Sequence, residues 1–293
     1  MPNTINYATK FEKELKQKYE RELTSHGLTT NQVRFIDAKT VKFPYLILAG
    51  YKDHGRNGGF NRQALENKWI TKTMGHDRDV EYFVDVEDVD ESGESVSAAN
   101  VTTVLEEEHV IPETDAYRYS KLYADYIELG GTVDNTVITS LNVLEVFDNY
   151  MQEMDDADVP VEGRLLYVTP EVSRHLKNAQ QIARQLDVSA KNEHIYRAVR
   201  SLDDVTIQQV APSRFKTSYD FTDGFTPGVS AKQINMILVQ PKSVIACDKH
   251  SYIKLWAPGT HTQGDGYLYQ NRKYWDLWVI DTRINGIKIN VSN

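Results

Sequence analysis

Apolar positions recur along this chain at two periods, and the changes of period divide it into elements. The run RLLYVTPEVSRHLK (164–177) begins with Leu165, Leu166, Tyr167 and Val168, four apolar residues that suit a buried strand. Thr169, Pro170 and Glu171 then open a helix. Threonine caps it, proline suits the first helical position, and glutamate complements the positive helix end. Upstream, Val137, Leu141, Leu144, Phe147, Met151 and Met154 recur at three- and four-residue spacing, which predicts a helix with one apolar stripe. Helix, strand, helix is the smallest unit here that can bury a core by itself.

The flanks read differently. In residues 1–39, Phe11, Leu15, Tyr19 and Leu23 make one thin stripe on a highly charged helix, which needs another surface to lie on. Ser25-His26-Gly27 supplies a stop. Residues 40–90 read as a long hairpin: Val41, Phe43, Tyr45 and Ile47 alternate going out, and Val80, Tyr82, Val84 and Val86 alternate coming back. Leu46 and Leu48 make the other face of the outgoing strand apolar too. Two strands alone are marginal, so a neighbouring molecule is expected to support them. Residues 94–129 are mainly helical, with Pro112 as a break or kink, Thr114 or Asp115 as the second helix's cap, and Gly130-Gly131 as its end. A polar helical stretch from Asn178 to Arg200 follows the central unit. Strands then dominate, closing on Tyr274–Ile284 and Ile287–Val291 around Asn285-Gly286, a strong hairpin signal. The alternation of Ile287, Ile289 and Val291 predicts one buried face on the last strand.

Charge sharpens this picture. The net −9 of the 293 residues conceals a centre, residues 79–159, with 22 acidic and two basic side chains, flanked by segments of net +6 and +5. An acidic centre repels phosphates and argues against a binder that grips nucleic acid by counterion release. Two alternatives stay open for it: the basic flanks meet it, within one subunit or between subunits, or it is a solvated acidic face. One cysteine, Cys247, excludes an intrachain disulfide and a cysteine-rich zinc site, and is expected to be a buried structural thiol. The start lacks a signal peptide's apolar region and no apolar run approaches ~20 residues, so a soluble protein from a reducing compartment is expected. Catalytic patterns are missing. Gly50–Asn57 has the spacing of a phosphate loop without its Lys and Ser/Thr; Asp88–Gly93 opens like a calcium loop but places Ala99 where a bidentate Glu belongs; HExxH and GxSxG do not occur. No cofactor or metal and no enzyme activity are expected.

Several stretches resemble one family. Asp77-Arg78 with Phe83–Asp88 resembles the descending limb of the extended loop in major capsid proteins of tailed bacteriophages. RLLYVTPEVSRHLK and Val210–Phe215 are similar to that family's axial domain. The C-terminal run INMILVQPKSVIACDKHSYIKLWAP and GDGYLYQNRKYWDLWVIDTRINGIKI carries its Pro258-Gly259 step, its aromatic-Asp strand at Tyr274-Trp275-Asp276 and its closing Gly-Ile hairpin. The resemblance spans nearly the whole chain. It implies an α+β capsid fold with an N-terminal arm (1–39), extended loop (40–90), spine helix and peripheral domain (91–131), axial domain (132–249) and return strands (250–293). It implies self-assembly as pentamers and hexamers into an icosahedral shell around double-stranded DNA held without sequence-specific binding. Formation in the host bacterial cytoplasm would involve a scaffolding protein and portal, leave room for a decoration protein, and need no membrane. No obvious scaffolding region precedes the arm, so a separate scaffold or a processed chain is expected. Contacts between subunits are expected from Lys52, Arg56, Arg62, Lys68, Trp69, Lys72 and Arg78 on the loop and from Phe11, Leu15, Tyr19 and Leu23 on the arm. An encapsulin-type compartment shares the fold and is the alternative; an α/β enzyme with a lid at 50–79 is a reading from another class.

Overall fold

The computed structural model describes residues 22–29, 40–54, 61–87, 98–179, 182 and 199–292. Its centre is the unit expected at 164–177. Strand β4 (Leu165–Val168) is followed by a helix over Pro170–Asn178, where the Thr169 hydroxyl accepts from the Val172 amide at 3.3 Å. In chain order the other strands of this sheet are β5 (Ser201–Leu202), β6 (Val205–Gln209), β9 (Ile234–Val239) and β12 (Ile287–Val291), arranged β12-β9-β4-β6-β5. Only the β4–β6 pair is parallel. Leu166, Val168, Met236 and Leu238 share one face and pack under the helices Val143–Asp156 and Pro170–Asn178. Tyr167, Ile237, Val239, Ile287 and Ile289 share the other and pack under a long helix. Each such fully buried side chain contributes about 1.5–3 kcal/mol, so this three-layer stack is the main source of stability.

The helix before β4 starts later than its periodicity predicts, at Val143. Val137 and Leu141 are 67% and 85% exposed and lie outside it. Asp134 accepts from the Thr136 amide (2.8 Å), and Asn142 both accepts from the Thr139 amide (2.7 Å) and donates to the Val137 carbonyl (2.9 Å). Such local bonds offer the backbone an alternative to helix. The buried stripe is Val143, Val146, Phe147, Tyr150 and Met154. Nor does β12 bury one face only: Asn290 on its reverse is buried, donating to Asp134 and to the Thr136 carbonyl, both at 3.0 Å.

The long helix corrects a second expectation. Ala98–Leu105, a π-helical turn at Glu106–Val110 and Ile111–Glu128 follow one another with helical dihedrals at both junctions. Pro112 therefore does not break the helix. It occupies the first turn after the π segment, where the Ile111 amide bonds Glu106 five residues back, and that wider turn absorbs the missing proline donor. Thr114 and Asp115 are interior helical residues, not caps. Gly130 (φ +89°) ends the helix as expected, its amide and that of Gly131 bonding Ile127 and Tyr126 in a Schellman motif.

The remaining strands are β1 (Thr40–Leu48), β2 (Leu65–Thr73), β3 (His76–Val84), the short pair β7 (Tyr219–Asp220) and β8 (Thr226–Pro227), β10 (Val244–Trp256) and β11 (Tyr267–Val279). The return limb of the hairpin is β2, not Val80–Val86: Thr40 pairs Thr73 and Leu48 pairs Leu65. Strand β3 instead joins β11, Val84 opposite Tyr267 and His76 opposite Trp275, in the sheet β10-β11-β3. The closing hairpin is also absent, since β12 pairs β9 while β11 pairs β10 and β3. Gly286 serves close approach: a Cβ there would lie 2.1 Å from the Ser243 hydroxyl. The polar helical stretch expected over 178–200 falls mostly outside the described residues.

Candidate assembly interface

The β1–β2 hairpin is anchored at its root and carries exposed apolar side chains farther out. At the root, Val41 and Met74 are buried with Cys247, Tyr274 and Trp278. The Tyr274 hydroxyl donates to the Met74 carbonyl (3.0 Å), the Gly75 amide donates to Asp276 (2.7 Å), and Lys72 stands 3.8 Å from Asp281. Alternation along paired strands puts Leu46, Leu48, Leu65 and Trp69 on one face. Each is more than half exposed. Four large apolar side chains on a two-stranded projection leave a patch that water does not favour.

The expected contact residues separate into groups. Lys52 and Arg62 are exposed, and the Lys52 carbonyl lies 3.5 Å from the Asn61 side-chain amide. Lys68 pairs with Glu66 on its own strand at 3.0 Å, both exposed, an interaction of about 0–1 kcal/mol. Trp69 belongs to the bare face. Arg78 is committed inside the chain: it donates to Glu113 (2.7 Å) and to the Phe221 carbonyl (2.6 Å), tying β3 to the long helix. Arg56 lies outside the described residues, as do Phe11, Leu15 and Tyr19 of the arm. Leu23 is half-buried at the entry to a 3-10 turn over Thr24–Leu28, so Ser25-His26-Gly27 lies within a turn.

A charged node that sequence reading missed holds the end of the arm. Asp115, fully buried, accepts from the Thr24 amide (3.1 Å) and hydroxyl (2.8 Å), the Ser25 amide (3.0 Å) and Arg214 (3.1 Å). Arg118, also fully buried, donates to the Ser25 carbonyl (3.3 Å), the Thr29 hydroxyl (3.2 Å) and Asp248 (3.1 Å). The signal was present: Asp115 and Arg118 lie at helical spacing with Tyr119, Leu122 and Tyr126, on the buried stripe. Basic flank and acidic centre thus meet within one subunit, at Arg78–Glu113, Arg214–Asp115, Lys273–Glu106 and Lys288–Glu153.

Among the described residues no three His, Cys, Asp or Glu side chains gather to hold a metal ion. Cys247 is buried, and burial, with Asp276 and Asp248 nearby, pushes its thiol up to about 12, the reverse of an activated nucleophile. No described helix is long and apolar enough to cross a membrane.

No protein-family model and no curated protein matches the chain. Solved structures do. The chain is similar to the asymmetric unit of the bacteriophage PhiM1 mature capsid, with a TM-score of 0.68 at 12% identity over 98% of this chain and 92% of that one. The capsid structure of cyanophage P-SCSP1u gives 0.65 at 13% identity, covering 98% and 93%. The head structure of Helicobacter pylori bacteriophage KHP40 gives 0.63 at 10%, covering 98% and 94%. The chain has the α+β fold of bacteriophage capsid proteins.

Proposed function

We propose that this chain is the major capsid protein of a tailed bacteriophage, a structural and non-enzymatic subunit that assembles as pentamers and hexamers into an icosahedral shell around double-stranded DNA. The observation that carries the reading is the projecting β1–β2 hairpin, with Leu46, Leu48, Leu65 and Trp69 bare, on a chain that shares the capsid fold over nearly its full length. A closed shell repeats one contact at every subunit, so a projection without its own core is stabilised by its neighbour. In this reading the apolar face of the hairpin provides the contact area, and Lys52, Arg56, Arg62, Lys68 and Lys72 supply weaker electrostatic steering toward a neighbour's carboxylates. The arm, with Phe11, Leu15 and Tyr19, lies on an adjoining subunit, and Leu23 marks where it leaves its own subunit at the Asp115 node. A scaffolding protein and portal act during assembly in the host cytoplasm, and the finished shell can take a decoration protein. The test is expression with the cognate scaffold where one exists, followed by size-exclusion chromatography and electron microscopy. Uniform closed particles are expected; a stable monomer under every condition, scaffold included, overturns the proposal.

A further inference from the structure

Residues 74–76 join the hairpin's return strand to β3, and His76 is the one ionisable side chain among them. It opens β3 directly after the hairpin's return strand and is 7% exposed. Its ring stacks on Tyr117 of the long helix at 3.8 Å and meets the edges of Trp275 at 4.6 Å and Phe221 at 5.2 Å. Its Nε2 is buried without a hydrogen-bond partner and stands 3.5 Å from Glu113 Oε1. That gap exceeds an ordinary N–H···O bond by about 0.5 Å.

We propose that His76 and Glu113 form a protonation-controlled positioning pair for the hairpin. In the neutral Nδ1–H tautomer Nε2 carries no proton to give Glu113, and the ring is positioned by its aromatic neighbours. Protonation puts a proton on both ring nitrogens, and Nε2–H then donates to the Glu113 carboxylate, bracing the hairpin root against the long helix. The charged and titratable groups around the ring permit this. Glu113 and Tyr117 face it from the helix, and Arg78 from β3 already donates to the same Glu113 oxygen at 2.7 Å, leaving that carboxylate shared between two donors. From β11, Asp276 is occupied by the Tyr117 hydroxyl (2.8 Å) and by the Gly75 amide (2.7 Å) of the same root. Asp223, from the loop carrying Phe221, lines the cavity beside Glu113 and adds negative charge on that side. Asp77 and Arg272 pair with each other on the opposite face of the sheet. The root is otherwise fixed, so a change at this one contact is passed to the whole projection, two strands of nine residues each.

The test uses the full chain before assembly, so it does not depend on shell formation; failure to form shells would count against the capsid reading and not against this pair. Amide exchange of β1 and β2, corrected for intrinsic rate, is compared at pH 5.5 and pH 8. The expected result is greater protection at the lower pH, by roughly tenfold, the factor a hydrogen bond to a charged group typically contributes. His76→Gln, which cannot become cationic, should remove the pH dependence, and Glu113→Gln should reduce it. The wild-type His76 ring is followed by NMR over the same range, which keeps the test open if a variant fails to fold. A ring that does not titrate, or hairpin protection equally pH-dependent in His76→Gln, overturns the proposal.

Discussion

Replacing Asp115 with alanine removes the acceptor that holds the end of the arm against the long helix. The carboxylate is fully buried and takes four hydrogen bonds: two from Thr24, one from the Ser25 amide and one from Arg214, itself 4% exposed. Alanine leaves the Arg214 guanidinium buried without its charge partner and two backbone amides without acceptors. Breaking a buried ion pair on one side costs about 3–5 kcal/mol. At roughly 2 °C per kcal/mol for a chain of this size, the melting temperature of the unassembled protein should fall by about 6–10 °C. Asparagine keeps an acceptor oxygen without the charge, so Asp115→Asn should lose less. Scanning calorimetry reads the stability. Amide exchange at Thr24 and Ser25 reads the attachment, and it should rise toward the rate of exposed chain while the β4 amides stay protected. A loss under about 1 kcal/mol, or unchanged protection at Thr24 and Ser25, would show that the node does not hold the arm.

Leu48→Glu or Trp69→Glu should leave far-UV circular dichroism and melting within about 0.5 kcal/mol of wild type, since both residues are exposed, yet prevent shells in electron micrographs; normal shells would remove the apolar face from the interface. Lys52→Glu or Arg62→Glu should slow assembly and change its salt dependence without abolishing it, as light scattering against ionic strength would record. Cys247 should resist a thiol reagent at pH 8 until denaturant is added, because its thiol is buried and pushed up to about 12; fast native reaction would contradict that burial. Burial raises the Asp134 carboxyl, but donors from Thr136, Tyr150 and Asn290 outweigh it and hold the group below the usual range. A depressed carboxyl contributes stability that is present above the unfolded value of about 3.9 and is lost as pH falls through the folded one. Asp134→Asn should therefore flatten the acid limb of the stability curve below about pH 4, and an unchanged limb would refute the assignment.

Local chemistry is legible in the order of residues alone. Thr169-Pro170-Glu171 starts its helix because the cap hydroxyl, the proline ring and the helix end lie within one turn of each other. Gly130 stops the long helix because a positive φ costs a glycine little. Alternation identifies β3 as a strand, yet its partner β11 lies some 190 residues away, and period two carries no information about partners. The same limit makes Asn285-Gly286 look like a hairpin turn, when the glycine is there because Ser243 packs against its α-carbon. It also makes Asp115 look like a cap, since its partners Thr24 and Arg214 are about 90 and 100 residues distant. Caps, stops and the period of each element act through bonds a few residues long, so they can be read along the chain. Which apolar face stays bare on the hairpin, and which buried charges meet across the long helix, was decided by tertiary structure, because both depend on surfaces that exist only once distant segments have packed.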